Sequence, residues 1–251
     1  MKRIYYDLHL HSCLSPCGDD AATPTAIAGF LALSGYALAA LTDHNTVDNC
    51  PAFFEACEAY GVIPIAGMEL TTSEDIHVVC LFEHLSDALA FGKEIEGRRC
   101  KIPNRPDIFG HQEVMNADEE VLGEECDYLL GATDLSLEDL PDTVGRYGGV
   151  CYPAHIDRDA NGVIAVLGTF PETPSFSVVE IHDGEREDEY RERFSLTHRF
   201  VCSSDAHRLE DLREAKCYFE IPDGATTPDE VRREVFRLLG KEDTQLFRGE
   251  L

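Results

Sequence analysis

Apolar segments of transmembrane length are missing from this sequence, and so is the pattern of a cleavable signal peptide. The first strand-like run begins as early as Ile4, and no internal repeat or low-complexity linker interrupts the chain. These absences argue against a membrane-spanning or exported protein, and we expect one domain over residues 1–251 in the cytoplasm. In that compartment the ten scattered cysteines are expected to remain reduced.

Basic residues are also scarce, because 21 lysines and arginines stand against 48 acidic residues, for a net charge of −27. Such a surface repels polymeric nucleic acid and anionic membranes, and we expect neither as a partner. A small phosphorylated substrate remains compatible with the charge if bound cations offset the acidic groups of the site. The composition carries no indication of the oligomeric state.

Short apolar runs alternate with helical patterns in the first third of the chain. We predict strands at Ile4–Leu10, Tyr36–Leu41 and Val62–Ala66, and helices that open at Thr23-Pro24 and near Val47. At a length of 251 residues, this alternation predicts βαβ units, a parallel sheet and an α/β fold.

The middle of the chain is less regular. Residues 93–135 are predicted to form an insert that starts with a basic island at residues 93–105 and includes a hairpin-like excursion at 109–130. The basic island is either a phosphate-recognising rim or a solvated loop. Regular patterns return after the insert, and an amphipathic C-terminal helix is expected at about residues 228–240.

Histidine and carboxylate residues occur where predicted strands end. His9 and His11 lie two residues apart on one predicted strand, so their side chains share a face. A His-x-His pair in such a position supplies two corners of a divalent metal site. The further candidate ligands are Asp19, His44, Glu69, His77, His155, Asp205 and His207.

Most of these candidates follow a predicted strand at its C-terminal end, and in a barrel of parallel strands such ends meet at one mouth. The set exceeds what one ion needs, so we expect two to three divalent ions. A mixture of imidazole and carboxylate suits zinc, manganese or iron. A carboxylate such as Glu69 can bridge two ions, which together hold a hydroxide and clamp an attacked phosphoryl group.

The strand-end motifs are Asp7-Leu8-His9-Leu10-His11-Ser12, Leu41-Thr42-Asp43-His44-Asn45, Gly67-Met68-Glu69 with His77 beyond it, Pro153-Ala154-His155, and Ser204-Asp205-Ala206-His207. In combination they resemble the PHP family, the polymerase and histidinol phosphatase domain. The resemblance implies a distorted, TIM-barrel-like (β/α)7 barrel of parallel strands with outer helices, and up to three metals in its mouth. Members of this family include phosphatases for small phosphomonoesters and polymerase-linked domains.

Carried over residue by residue, the resemblance also implies how the ligands divide among three ions. The implied sets are His9, His11, Glu69 and Asp205, then Glu69, His77 and His155, and finally His44 and His207 with one residue of the loop after His11. That loop is longer here than the commoner Ser-Asp-Gly-x-x-Thr-Pro pattern of the family. Counting back from Thr23-Pro24 selects Asp19, while Asp20 and Cys17 remain alternatives.

Other polar residues near the predicted strand ends are candidates for supporting roles. Asp43 either orients a neighbouring ligand or is a strand-end turn residue. Arg158 either binds a substrate phosphate with its forked donors or forms a surface ion pair. His182 is either a proton donor to a leaving group or an ordinary loop histidine. The residues that we expect to act in catalysis are Glu69, Asp205, His207 and His182.

The expected function is that of a metal-dependent phosphoesterase. Its substrate would be a small phosphomonoester, such as a nucleotide, a sugar phosphate or an amino-alcohol phosphate, attacked by a metal-bridging hydroxide. The alternatives are a phosphodiesterase or exonuclease that acts on short oligonucleotides, and a non-catalytic module of the same family that supports a partner.

Overall fold

The first half of the chain alternates strands with helices, and the second half completes the fold around them. The computed structural model describes residues 1–212 and 214–240, so the expected end of the domain, residues 241–251, lies outside the described part. The strands are β1 (Lys2–Asp7), β2 (Leu38–Leu41), β3 (Ile63–Thr71), β4 (His77–Phe82), β5 (Glu113–Met115), β6 (Val121–Glu124), β7 (Val150–Pro153), β8 (Val178–Ile181), β9 (Arg199–Cys202) and β10 (Tyr218–Ile221). The helices are α1 (Pro24–Leu33), α2 (Cys50–Tyr60), α3 (Leu85–Glu96), α4 (Pro106–Phe109), α5 (Leu140–Gly145), α6 (Val163–Leu167), α7 (Glu187–Phe194) and α8 (Pro228–Leu239).

Local sequence signals explain where several helices begin and end. The Thr23 side chain accepts a hydrogen bond from the Ala26 amide, and Pro24 occupies the first turn, which confirms the predicted start of α1. Helix α2 ends at Gly61, whose φ of 75° lies in the left-handed region that glycine adopts without strain. Helix α8 begins with a capping box, in which Thr227 and Glu230 each bond the other's backbone. The helix is strongly amphipathic, as predicted.

The main sheet is mixed rather than wholly parallel. Its strand order is β10-β1-β2-β3-β4-β7, with β1, β2 and β3 parallel to one another as predicted. By contrast, β4 runs antiparallel to β3 and β7, and β10 runs antiparallel to β1. Residues 72–76 alone join β3 to β4, and so short a connection makes a hairpin rather than a crossover.

Strands β8 and β9 form a separate parallel pair within the described residues. The fold is therefore a mixed α/β arrangement with a curled half-barrel sheet, and the strand ladders of the described residues do not join into one closed (β/α)7 barrel of parallel strands. The β9 end still approaches the β1 end, because the Leu8 amide bonds Ser203 Oγ and Leu10 bridges Ala206.

Apolar side chains cover both faces of this sheet. Strand β2 is fully buried, and its alternation sends Ala39 and Leu41 toward α1 and α2, where Phe53 packs. Its other face joins the cluster that includes Val79 and Val235, so α8 lies against that side. This packing leaves the C-terminal ends of β1, β2, β7 and β9 to carry polar side chains.

The predicted insert contains little regular structure. The hairpin-like excursion is confirmed as the antiparallel pair β5–β6, and β6 is exposed along its whole length. The basic residue Arg99 is 7% exposed and pairs with Glu125, whereas Lys101 and Arg105 lie in solvent. Through residues 1–212 and 214–240, helices fall short of the length and apolar character that a bilayer crossing requires.

Candidate metal centre

The strand ends bring sequence-distant histidines and carboxylates to one place. His9 and His11 follow β1, and His44 follows β2. Glu69 lies inside β3, which is longer than predicted because it pairs with β4 as far as Thr71. His77 begins β4, and since β4 is antiparallel to β3, its first residue lies beside the ends of the parallel strands.

The remaining candidates arrive from the second half of the chain. His155 follows β7, and Asp205 and His207 follow β9. The side chains of His155 and Asp205 are buried, and that of His207 is 24% exposed. Contacts between residues this far apart in sequence exist only because the curled sheet turns its ends toward one another.

A group of four buried donors forms the centre of the cluster. His9 Nε2 lies 3.3 Å from Glu69 Oε1 and 3.4 Å from Asp205 Oδ1. His11 Nε2 lies 3.3 Å from Glu69 Oε2 and 3.2 Å from Asp205 Oδ1. These four side chains are at most 1% exposed, so they are shielded from water.

Glu69 is the residue around which the histidines gather. Its two carboxylate oxygens lie 2.9–3.3 Å from ring nitrogens of His9, His11, His44, His77 and His155. A single carboxylate in contact with so many imidazoles is placed to bridge more than one cation.

Residues from all three implied ligand sets lie close together in the described part of the chain. The four donors of the first set lie within reach of one ion, and Glu69 contacts both His77 and His155 of the second. Among the described residues, His44 groups with Glu69 and His77, and it also groups with His11 and His207. His11 therefore completes the group of His44 and His207, where a residue of the loop after His11 was expected.

Asp19 is exposed, and it belongs to none of the possible ligand groups among the described residues. The Asp19 carboxylate accepts a hydrogen bond from the Ala21 amide within the same turn. The Asp19 amide donates to the His207 carbonyl, so the backbone of Asp19 lies close to a candidate ligand. The Asp20 alternative is exposed. Cys17 is exposed as a residue, but its thiol is partly buried, and this burial raises the pKa of the thiol. The negative charges of Glu69 and Asp205 raise it further.

Charges in the cluster are strongly coupled. Burial opposes ionisation of Glu69, but His77, His9 and His44 outweigh it and hold its pKa well below the usual value. Burial likewise opposes protonation of His11, but Asp205 and Glu69 raise its pKa to about 9. Burial and the neighbouring His11 lower the pKa of His207 to about 4, which leaves that imidazole neutral at pH 7.

Buried polar atoms of the cluster lack hydrogen-bond partners. Among the described residues, His44 Nδ1 and Asp205 Oδ1 are such atoms. Each instead lies beside another possible metal ligand, His44 Nδ1 beside Glu69 and Asp205 Oδ1 beside His11. Native proteins rarely leave buried polar atoms unsatisfied. Imidazole nitrogens and carboxylate oxygens converging on one point fit a divalent cation such as zinc, manganese or iron.

Asp43 acts on the cluster through a serine. Its carboxylate accepts hydrogen bonds from Ser12 Oγ and Ser15 Oγ, both at 2.7 Å. Ser15 Oγ in turn lies 3.0 Å from His11 Nδ1 and accepts a bond from the His44 amide. This chain of contacts orients His11, which agrees with the orienting role considered for Asp43.

Glu180 was not among the predicted site residues, but it supports the cluster directly. It is fully buried, its Oε1 lies 2.8 Å from His9 Nδ1, and it accepts a bond from the His155 amide at 3.0 Å. The available signal was a glutamate in the apolar run Val178–Ile181, since an acid in a buried strand needs a partner.

Arg158 and His182 lie at the side of the cluster. Arg158 Nη1 is 2.6 Å from Asp205 Oδ2, and Nη2 is 3.5 Å from His182 Nδ1. Both residues line a cavity of about 500 Å³ that also reaches Asp205 and His207. The ion pair of Arg158 is thus made with a residue of the cluster and not with its neighbours in the sequence.

Several solved structures share this fold. A lesion-specific endonuclease from Pyrococcus furiosus aligns with 18% identity and a TM-score of 0.62 over 92% of this chain and 55% of its own. A protein described as a metal-dependent phosphoesterase from Bifidobacterium adolescentis aligns with 17% identity and a TM-score of 0.54 over 92% and 96% of the two chains. An amidohydrolase from Chromobacterium violaceum with bound sulfate aligns with 20% identity and a TM-score of 0.53 over 87% and 92%.

The chain therefore spans little more than half the length of the endonuclease. A search among curated proteins finds no match. The family model described as PHP domain matches residues 7–161, a segment that contains every candidate ligand before the 205–207 pair. Since this match covers more than half of the sequence, the protein belongs to the PHP domain family.

Proposed function

We propose that this protein is a metal-dependent phosphoesterase that hydrolyses a small phosphomonoester. The substrate classes that we propose are a nucleotide, a sugar phosphate and an amino-alcohol phosphate. The observation that carries the proposal is the buried group of His9, His11, Glu69 and Asp205, whose donor atoms converge beside the guanidinium of Arg158. Membership in the PHP family supports the same reaction class.

Two to three divalent ions of zinc, manganese or iron would occupy the cluster. His9, His11, Glu69 and Asp205 would hold one ion, and Glu69 would share a second with His77, His155 and His44. A third would lie with His44 and His207, completed by His11 or by a residue of the loop that contains Asp19. Such ions supply an activated water at neutral pH and neutralise charge on phosphoryl oxygens.

The side chains around the cluster would bind and orient the ester. Arg158 is anchored by Asp205 and lines the cavity, where its guanidinium would bind the oxygens of a phosphate. Glu69, Asp205 and His207 would act at the phosphoryl group. His182, exposed on the cavity wall, would protonate the leaving oxygen.

The decisive experiment joins metal content to activity. The purified protein is stripped with a chelator, reloaded with zinc, manganese or ferrous iron, and assayed on a panel of phosphomonoesters. We expect Asp205→Asn to lose bound metal and activity together, and Asp188→Asn, an exposed change on α7, to keep both. Loss of metal from Asp205→Asn with unchanged activity would refute the proposal.

A second candidate is hydrolysis of a phosphodiester in DNA or in a short oligonucleotide. It is favoured by the shared fold with an endonuclease. The net charge of −27 opposes a polyanionic substrate. Assays on single-stranded and lesion-containing oligonucleotides decide between the two, because a larger kcat/KM for DNA than for every monoester would favour the second.

A further inference from the structure

We propose that Glu180 is a positioning residue that holds His9 and His155 in the geometry required for metal binding. Glu180 lies on β8, and its carboxylate reaches two ligand candidates that belong to different strands of the sheet. The inference rests on the metal centre and not on any particular substrate.

The contact with His9 selects a tautomer of that ring. A carboxylate at 2.8 Å from Nδ1 can only accept a hydrogen bond, so it favours the tautomer with the ring proton on Nδ1. In that tautomer Nε2 is the unprotonated nitrogen, and Nε2 is the atom that faces His11, Glu69 and Asp205. A proton on Nε2 would occupy the place of the ion, because imidazole binds a metal only through an unprotonated nitrogen.

The contact with His155 acts on the backbone. His155 has a φ of 26°, within the region that residues other than glycine seldom adopt. Its amide donates to the same Glu180 oxygen at 3.0 Å, and its ring Nε2 reaches Glu69 Oε1 at 3.0 Å. The acceptor on Glu180 therefore helps to hold a strained backbone in the conformation that presents the imidazole to Glu69.

Burial makes this arrangement specific. Glu180 is 0% exposed, and no water-facing alternative is open to its charge. Among the described residues, its second oxygen has no hydrogen-bond partner, and neither has the Tyr152 hydroxyl. Burial raises the pKa of Tyr152, and the nearby charge of Glu180 raises it further. Both hydrogen bonds that the Glu180 carboxylate accepts therefore come from candidate ligands, His9 and His155.

The test measures zinc binding rather than turnover. Apo wild type, Glu180→Gln, Glu180→Ala and Tyr152→Phe are titrated with zinc against a chromophoric chelator, and folding is checked by circular dichroism. We expect Glu180→Ala to weaken zinc binding by about 10- to 100-fold, in line with the loss of a partner of a ligating histidine. Glu180→Gln should weaken it less, because an amide oxygen can keep both hydrogen bonds without the charge.

Tyr152→Phe is the matched control, because it alters a buried polar group beside Glu180 and leaves the His9 and His155 contacts intact. It should bind zinc like the wild type. If Glu180→Ala does not fold, Glu180→Gln still gives the comparison. Wild-type affinity in Glu180→Gln and in any folded Glu180→Ala, or an equal loss in Tyr152→Phe, would overturn the proposal.

A spectroscopic measurement separates positioning from a general loss of stability. Two-dimensional ¹H–¹⁵N correlation of the zinc-loaded, histidine-labelled protein reports which ring nitrogen carries the proton. We expect His9 to be protonated at Nδ1 in the wild type, and a proton on Nε2 would refute the inference. Zinc binding tests this role even if the protein fails to hydrolyse every phosphoester offered, so its outcome is independent of the proposed reaction.

Discussion

Removing metal from the protein should lower its thermal stability, and this prediction tests the candidate centre most directly. The folded chain gathers His9, His11, Glu69 and Asp205 within bonding reach of one ion, whereas the unfolded chain scatters them over almost 200 positions. An ion that binds the folded state alone stabilises it according to its concentration relative to Kd.

The size of the effect follows from that linkage. Free zinc at about 1,000 times Kd contributes about 4 kcal/mol at one site. In a chain of 150 to 250 residues, about 1 kcal/mol moves Tm by about 2–4 °C, so loading one site should raise Tm by about 8–16 °C. Occupation of a second site through Glu69 would add to this shift.

Differential scanning fluorimetry of chelated and reloaded protein provides the assay. Glu69→Gln should abolish most of the metal-dependent shift, because the residue in contact with five histidines loses its charge. Glu58→Gln, an exposed change on α2, should keep the full shift. Equal Tm values with and without zinc, manganese and iron would refute the metal centre, and a full shift in Glu69→Gln would refute its bridging position.

Three further predictions address the substrate, the core and the C-terminal helix. Arg158→Ala should lower kcat/KM for the phosphomonoester by about tenfold or more, as expected for loss of a charged hydrogen bond, with Arg158→Lys intermediate; unchanged kinetics would remove Arg158 from the site. Phe53→Ala should cost about 3–5 kcal/mol in urea unfolding, because the ring is 0% exposed, whereas Phe30→Ala, at 41% exposed, should cost far less; equal costs would contradict the packing. Hydrogen bonds from the backbone amides of Thr227 and Thr226 lower the pKa of Glu230 from 4.5 to about 2. The ionised Glu230 therefore stabilises the folded state above pH 4.5, and this stabilisation is lost as the pH falls toward 2. The Tm difference between wild type and Glu230→Gln should therefore narrow between pH 6 and pH 3, and a constant difference would show that ionisation of Glu230 is not involved.

Much of the local structure could be predicted because its causes are local. Thr23-Pro24 marks the start of α1, and the amphipathic run at 228–239 marks α8, since capping and helical periodicity act within a few residues. The prediction of a parallel sheet did not foresee the antiparallel β4, because the hydrophobic periodicity of a strand does not show its direction. Only the length of the 72–76 connection and the ladder with β3 decide it.

The sequence by itself determined which side chains have metal chemistry and that most of them end strands, because residue type and strand position are properties of short segments. The tertiary structure alone decided their grouping, including the contact between His9 and Glu180 across 171 positions and the hydrogen bond that the Asp19 carboxylate accepts within its own loop. The physical reason is that such contacts depend on how the sheet curls and on where each loop satisfies its own backbone. No spacing along the chain encodes either one.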